Sequence, residues 1–442
     1  METSEHHNIT IIGAGYVGLC TGAILSEFGN NITFLDVNAQ RINSINNGRS
    51  PVYEPGLDDI IREGVNSGKI TATTNYEEIS SSKTFIMSVN TPINKDYEVD
   101  LTYLISACKS LSKVINKGSL VILRSTVPPL TLKNYIAPIF IEEGFLIDHD
   151  VYFSVIPERL AEGHALKDMK ENPVIVGVRS DDAFKLVEKL WSKLDQQIIR
   201  ISWEEAELTK LSDNLWIDLN IAMANEIALV AEKIGADARK VIKAANTLKK
   251  GSGYVNILMP GVGVGGSCLP KDPHILNAFS RKMGVDLRIP TTSRSVNDQM
   301  PEHMYNLIKE NMENKNNPSI LMLGLSFNTN SGDMRYSPSI YLNENLQKAG
   351  FKVFGYDPLV NRQDLGELHN VTIIENTEQL IEILSQIDVV AIVAAHNTFK
   401  DMKNDILKPM KNKLIVDGRY LFEESEVAKF GVKYVAIGVG HN

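Results

Sequence analysis

The stretch Gly261-Val262-Gly263-Val264-Gly265-Gly266-Ser267-Cys268 runs a series of glycines up to a thiol, and Leu269-Pro270-Lys271-Asp272 follows it. A cysteine attacks as its thiolate, which a neighbouring cation favours, and a nearby carboxylate can move protons, so this set fits covalent catalysis. Glycine lets a backbone approach a ligand closely, so the loop can wrap a substrate and hold Cys268 against it. The plain alternative is a small buried cysteine in a tight turn. The adjacent Lys271-Asp272 pair weighs against that alternative.

A second set lies at the start of the chain. Asn8 to Ile12 reads as a strand, Gly13-Ala14-Gly15-Tyr16-Val17-Gly18 as a tight turn opening a helix, and Ile32 to Asp36 as a second strand. This is the dinucleotide fingerprint in the context that gives it meaning. Gly13 permits the turn, Gly15 lets a pyrophosphate reach the backbone at the helix start, and Gly18 lets the helix pack on the strand. Asp36 would accept from a ribose 2'-hydroxyl and repel a 2'-phosphate, so the expected cofactor is NAD. Three polar clusters follow later strand-like runs: Asn90-Thr91-Pro92, Ser125-Thr126-Val127-Pro128-Pro129 and Pro157-Glu158-Arg159. Singly they read as turns; together, on one sheet edge, they line the place where such sheets take ligands.

The elements that must carry these residues follow from the alternation of apolar runs and helical intervals. The expected fold is α/β, with two doubly wound Rossmann-like parallel-sheet domains joined by a long central helix. Trp203 to Gly235 has no proline and no internal glycine, and Leu208, Leu211, Leu215, Leu219, Ala222 and Met223 recur at helical spacing. Such a helix is roughly 50 Å long, enough to join two domains. Lys210 and Asn214 share one of its faces. A solvated polar stripe is the bland reading; a helix beside the cysteine loop favours a functional one. Length and apolarity also predict that this helix dimerises. From about Pro318 the α/β rhythm restarts without a phosphate fingerprint, and Asp357 ends its second strand much as Asp36 does. Asn311 to Pro318 reads as a linker. The expected domains are 1–200, binding NAD, 201–300, central and helical with the cysteine loop, and 315–442, a second Rossmann-like domain.

The 442 residues are too many for one core, and 43% hydrophobic with 22% charged is ordinary for a globular protein. With a formal net charge of −9 and no basic block, nucleic acid is not an expected partner. Cys20, Cys108 and Cys268 are too few and too widely spaced for a disulfide framework or a cysteine metal site, so no metal is expected and a reducing compartment is. The opening residues lack the regions of a signal peptide, and no apolar run is long enough to span a bilayer. The expectation is a cytoplasmic protein with no membrane partner.

Together with Tyr53-Glu54-Pro55-Gly56-Leu57 and Gly265-Gly266-Ser267-Cys268-Leu269-Pro270-Lys271-Asp272, these marks resemble the UDP-glucose/GDP-mannose dehydrogenase family over nearly the whole chain. The resemblance implies an NAD-dependent four-electron oxidation of a nucleotide sugar, taking a C6 alcohol to a carboxylate through a thiohemiacetal and a thioester on Cys268. It implies that Lys210 and Asn214 stabilise charge on the sugar oxygen, that Asp272 and Glu158 handle water and protons, and that Thr126 places that water or the cofactor. Gly13, Gly15, Tyr16, Val17, Gly18, Asp36, Arg41, Thr91, Thr126, Lys271 and Arg335 match positions used for NAD. Glu158, Arg159, Lys210, Asn214, Tyr254, Asn256 and Gly265 match the sugar side. It also implies a UDP-sugar partner, a UDP-sugar-binding C-terminal domain and a homodimer on the long helix.

The chain departs from the family in places. Phe327-Asn328-Thr329-Asn330-Ser331-Gly332 stands where a lysine usually helps hold the nucleotide sugar. Ser267 to Asp272 is like the UDP-glucose enzymes. Pro157-Glu158-Arg159 with Gly163, and Val255 to Gly261, are closer to the N-acetylmannosamine branch, although that branch usually has arginine where Tyr254 stands. The expected substrate is an N-acetylated UDP-hexosamine, with UDP-glucose close behind. Two other readings remain open: a single-hydride β-hydroxyacid dehydrogenase, which needs no Cys268, and an NAD-responsive scaffold.

Overall fold

The computed structural model describes residues 7–251, 253–312, 315–410 and 413–440. The opening stretch before residue 7, and positions 313 and 314 of the expected linker, lie outside them. The chain divides into two compact units, one closing at Asp213 and the other opening at Asn214.

The first unit is built on β1 (Asn8–Ile12), β2 (Asn31–Leu35), β3 (Ile70–Thr73), β4 (Thr84–Met87), β5 (Ser119–Leu123), β6 (Val151–Val155), β7 (Val174–Gly177) and β8 (Ile198–Ile201). Their order is β3-β2-β1-β4-β5-β6-β7-β8. The central strands are runs of branched and aromatic residues because both faces are covered: every residue of β4 and β5 is buried. Ile9 and Ile11 pack with Leu19, Phe34 and Trp191 on one face. Ile12 packs with Phe85, Met87 and Phe153 on the other. The chain winds outward in opposite senses from β1 and β4, and that switch point is where such sheets bind ligands.

One expectation is corrected. The sheet is not parallel throughout: β7 runs antiparallel to β6, with Val155 opposite Gly177. An antiparallel neighbour needs no crossover. The connection 156–173, which carries Glu158 and Arg159, therefore stays at the carboxyl end of β6.

The second unit holds a short hairpin of β9 (Lys249–Lys250) and β10 (Gly253–Tyr254), then β11 (Ser319–Leu323), β12 (Lys352–Tyr356), β13 (Thr372–Ile373), β14 (Val389–Ile392), β15 (Leu414–Asp417) and β16 (Lys433–Ala436). The last six form a sheet in the order β13-β12-β11-β14-β15-β16. Every pairing in it is parallel.

The long helix is Trp203–Lys233. The residues that recur at helical spacing divide between its buried and exposed sides. Leu211 and Ala222 are buried, but Leu208, Leu219 and Met223 are exposed, as are Trp216, Val230 and Ile234. Beside Trp203 and small residues such as Ala206, Ala224 and Ala228, the helix buries Glu207, Lys210, Asn214, Asp218 and Asn225, spaced to share one face. A buried polar group must find partners, so this stripe marks where the helix does more than fill space.

Candidate active site

The glycine turn has the form its sequence demands. Gly13 sits at φ +104, and a Cβ there would lie 2.4 Å from the Ser88 carbonyl oxygen. At Gly18 a Cβ would lie 2.1 Å from the Gly13 carbonyl oxygen. Gly15 differs: a Cβ there would meet nothing within 4 Å. That open space lies at the start of the helix Tyr16–Glu27, whose N-cap is Gly15, with no side-chain cap and no acidic residue in the first turn. Uncapped N–H groups beside an open glycine suit an anion. Asp36 ends β2; its carboxylate accepts from the backbone N–H of Ala14 at 2.7 Å and of Asn38 at 2.8 Å, with Arg41 at 3.7 Å. Each carboxylate oxygen thus takes one backbone bond and keeps a lone pair for a ribose hydroxyl. These residues fit NAD.

The Tyr16 hydroxyl is committed elsewhere, donating to Glu54. Glu54, 5% exposed, also accepts from the N–H of Gly163 and of Ala165, both at 2.8 Å. The Tyr53-to-Leu57 motif is thereby explained: its carboxylate caps the helix Ala165–Glu171 and ties it to the cofactor helix. Val17 is part-buried on that helix.

The three polar clusters follow β4, β5 and β6, which are neighbours in the sheet. The Thr91 hydroxyl donates to the Thr126 carbonyl at 2.7 Å, and the Ser125 hydroxyl donates to the Val89 carbonyl at 2.7 Å. Glu158 forms a buried ion pair with Lys210 and accepts from Leu160 N–H at 3.1 Å. Burial alone would raise the Glu158 carboxyl, but the Lys210 ammonium, the Leu160 N–H and the Arg124 guanidinium hold it below the usual carboxylate range. Arg159 pairs with Asp213 at 2.9 Å, one turn beyond Lys210.

In the second unit, Cys268 is part exposed, whereas Cys20 and Cys108 are buried. Burial pushes the Cys108 thiol up to about 12 and the Cys20 thiol up as well, which keeps both inert at neutral pH. The Cys268 carbonyl accepts from the N–H of Lys271 and Asp272 at 3.0 and 2.8 Å, and the Ser267 hydroxyl lies 3.5 Å from the sulfur. Asp272 is fully buried and accepts from the Asn214 amide at 2.6 Å. The Lys271 ammonium lies 3.9 Å from Asp272.

The glycines of this loop also let it pack closely within its own unit. A Cβ at Gly265 would lie 2.5 Å from the Phe327 Cβ, and one at Gly266, at φ +85, would lie 2.8 Å from the Phe327 ring. The loop is pressed onto the segment after β11, and Gly266 N–H donates to the Arg335 carbonyl at 2.8 Å. Arg335 pairs with Asp333 at the surface. Arg419 donates to the Gly263 carbonyl at 2.9 Å.

Leading into the loop, asparagines hold the chain in place. Asn220 bonds both the Asn256 carbonyl and Leu258 N–H, Asn246 bonds both Ile257 groups, and Asn225 accepts from Gly261 N–H. Tyr254 is exposed on the β9–β10 hairpin. Glu54 stood in the quoted Tyr53-to-Leu57 motif without a role; Asn225, absent from the sequence reading, has only its residue type to flag it. Glu207 and Asp218 carry a signal, the spacing of three and four that places them on the face of Lys210 and Asn214.

An open glycine turn backed by an acidic strand end, in a doubly wound sheet, defines an NAD-dependent oxidoreductase. Residues 7–195, 204–299 and 321–424 match the NAD binding, central and UDP binding domains of the UDP-glucose/GDP-mannose dehydrogenase family. A UDP-N-acetyl-D-mannosamine dehydrogenase of Pyrococcus horikoshii is 32% identical, over 98% of this chain and 99% of that one. A UDP-glucose 6-dehydrogenase of Rickettsia bellii is 30% identical, over 98% and 99%. The solved structure of a UDP-glucose dehydrogenase from Pyrobaculum islandicum is similar with a TM-score of 0.88 at 26% identity, covering 100% of this chain and 99% of that one. The chain belongs to the UDP-glucose/GDP-mannose dehydrogenase family.

Proposed function

We propose that the protein oxidises the C6 alcohol of a UDP-hexose to the carboxylate, with UDP-N-acetyl-D-mannosamine as the favoured substrate. The observation that carries the four-electron reading is Cys268, the part-exposed thiol on a loop pinned by its neighbours, where the other two cysteines are buried. NAD, when bound, accepts a hydride from the sugar carbon in each of the two oxidations. The Cys268 thiolate adds to the C6 aldehyde to give a thiohemiacetal, whose oxidation leaves a thioester that water splits to the carboxylate, returning the thiol. Lys210 and Asn214 would donate to the developing oxyanion, Glu158 and Asp272 would move protons, and Thr126 would place the water or the cofactor.

The mannosamine preference rests on Pro157-Glu158-Arg159 with Gly163, on Val255 to Gly261, and on the likeness to the Pyrococcus relative. UDP-glucose is the second reading, favoured by Ser267 to Asp272 and the Rickettsia relative. In this reading residues 1–200 hold NAD, 201–300 carry the thiol and the subunit contact, and 315–442 take the UDP group. The exposed apolar face of Trp216, Leu219, Met223, Val230 and Ile234 supports a homodimer through the long helix, and a monomer by analytical ultracentrifugation would overturn that part. Among the described residues no helix is long and apolar enough to cross a membrane; from only three widely spaced cysteines, too few for a disulfide framework, the setting we propose is cytoplasmic. NADH production with a panel of UDP-hexoses tests the substrate: fastest turnover on the N-acetylated mannose sugar supports it, and turnover on UDP-glucose alone overturns it. Cys268→Ser should abolish acid formation and leave NADH binding intact.

A further inference from the structure

Glu207, 3% exposed, gives both carboxylate oxygens to one loop: Oε2 accepts from Leu130 N–H at 2.6 Å and Oε1 from Leu132 N–H at 2.8 Å. That loop is Ser125 to Leu130, the connection after β5 that carries Thr126. It ends in a strained residue, since Leu130 stands at φ +71, where only glycine is at ease. Such a conformation persists only where the surroundings hold it. At its start the loop is held by β4 and the connection after it, through Met87, Val89 and Thr91, and at its end by the Thr131 hydroxyl on the Pro128 carbonyl and the Asn134 N–H on the Leu130 carbonyl.

Glu207, Lys210 and Asp213 lie three residues apart on the long helix, alternate in charge, and each grips the end of a strand. Glu207 takes the loop after β5, Lys210 takes Glu158 after β6, and Asp213 takes Arg159. The Trp203 indole fixes the start of the same helix by donating to the Phe153 carbonyl of β6 at 3.2 Å.

We propose that Glu207 is a positioning residue for the reaction: by holding Leu130 and Leu132 it sets the Thr126 loop in register with Lys210, three residues further along the same helix. A neutral core residue could fill the volume, but only a carboxylate can accept two converging N–H groups there. Burial pushes the Glu207 carboxyl up to about 7 against the pull of the Leu132 and Leu130 N–H groups, so a group that is costly to ionise stands where an apolar residue would cost less, as expected of one retained for placement.

The inference rests on the reading of the Thr126 loop as part of the NAD site, so Thr126→Ala is measured beside Glu207→Ala and Glu207→Gln. The readout is NADH affinity by fluorescence titration, with UDP affinity measured in the same samples. Losing a hydrogen bond to a charged group should weaken NADH by about tenfold in Glu207→Ala and less in Glu207→Gln, which keeps one acceptor, with UDP affinity unchanged. Wild-type NADH affinity in both Glu207 variants while Thr126→Ala weakens it overturns the positioning role alone. Wild-type affinity in Thr126→Ala overturns the loop's assignment to the cofactor, and the inference with it. If Glu207→Ala loses both ligands through misfolding, Glu207→Gln decides: weaker NADH with unchanged UDP supports the role, and unchanged NADH overturns it.

Discussion

Gly13 after β1 and Gly324 after β11 occupy the same turn in two different sheets. Their φ values are +104 and +79, and a Cβ would lie 2.4 Å from the Ser88 carbonyl oxygen at one and 2.3 Å from the Ala394 carbonyl oxygen at the other. In each sheet an aspartate at the end of the next strand braces the turn, Asp36 through Ala14 N–H and Asp357 through Leu325 N–H, both at 2.7 Å. Beyond this the two part. Gly15 faces open space at a helix start. Ser326, at the corresponding step, is buried with its hydroxyl near the Asn328 carbonyl and His396. Asp357 is saturated: His396, Leu325 and Ser326 reach one oxygen, Leu359 and Val360 the other. His396 Nδ1 accepts from Asn330 N–H, which leaves the proton on Nε2 to be donated to Asp357. One backbone plan thus serves two ends. Where the turn is left open it can take a dinucleotide; where it is filled it becomes a brace, and the UDP group proposed for the second sheet would need other contacts.

Substitutions can break this comparison from either side. The largest effect is expected at Gly15→Val, whose side chain fills open space: NADH affinity should fall by more than about a hundredfold with an unchanged melting temperature, by fluorescence titration and calorimetry. Retained affinity would mean that the open turn is not the cofactor site. Next, Asp357→Ala should cost about 3–5 kcal/mol in urea unfolding by stranding a buried network, while leaving NADH affinity alone. Asp36→Ala should act first on the cofactor, weakening NAD by about tenfold and admitting NADP, at a smaller stability cost of about 1–3 kcal/mol for the Ala14 and Asn38 N–H groups it leaves unpaired.

A pH experiment sharpens the comparison within the first unit. The Glu207 carboxyl lies near 7 in the folded protein, above its ordinary 4.5, so the native state holds an extra proton between those values. Stability from this group is present below the lower value and is lost as pH rises through the window, with Glu204 on the same helix adding to the cost of ionisation. Glu207→Gln should remove this slope, so its melting temperature should gain on wild type from acid to neutral pH; a constant difference would contradict the assignment. The smallest effect is expected at Asn328→Lys, where restoring the family's usual lysine should tighten UDP by about threefold through one exposed cation.

The sequence reading reached the central strands and the glycine turn because their signals are local: doubly covered strands are unbroken apolar runs, and a turn at positive φ selects glycine. It placed no strand at Ile70–Thr73, Ile198–Ile201 or Thr372–Ile373, which are short and partly exposed and carry no such run. The antiparallel step at β7 was illegible because strand-helix alternation looks the same in either direction. On the long helix the leucine spacing showed the element and the Lys210–Asn214 pair its polar face, but that Glu207 and Asp218 also turn inward depends on partners elsewhere in the fold, the Leu130 and Leu132 N–H groups and the Ser293 hydroxyl. Cys268 was found by its neighbours Lys271 and Asp272, whereas Asn220, Asn225 and Asn246 bond main-chain groups far along the chain, which no spacing can encode.

The central claim is a double oxidation through Cys268, and the count of NADH formed per UDP-sugar consumed, with sugar limiting, tests it most directly. The account predicts two NADH per sugar for the wild-type protein and no carboxylate product from Cys268→Ser. One NADH per sugar, or a wild-type yield of carboxylate from the serine variant, would contradict it.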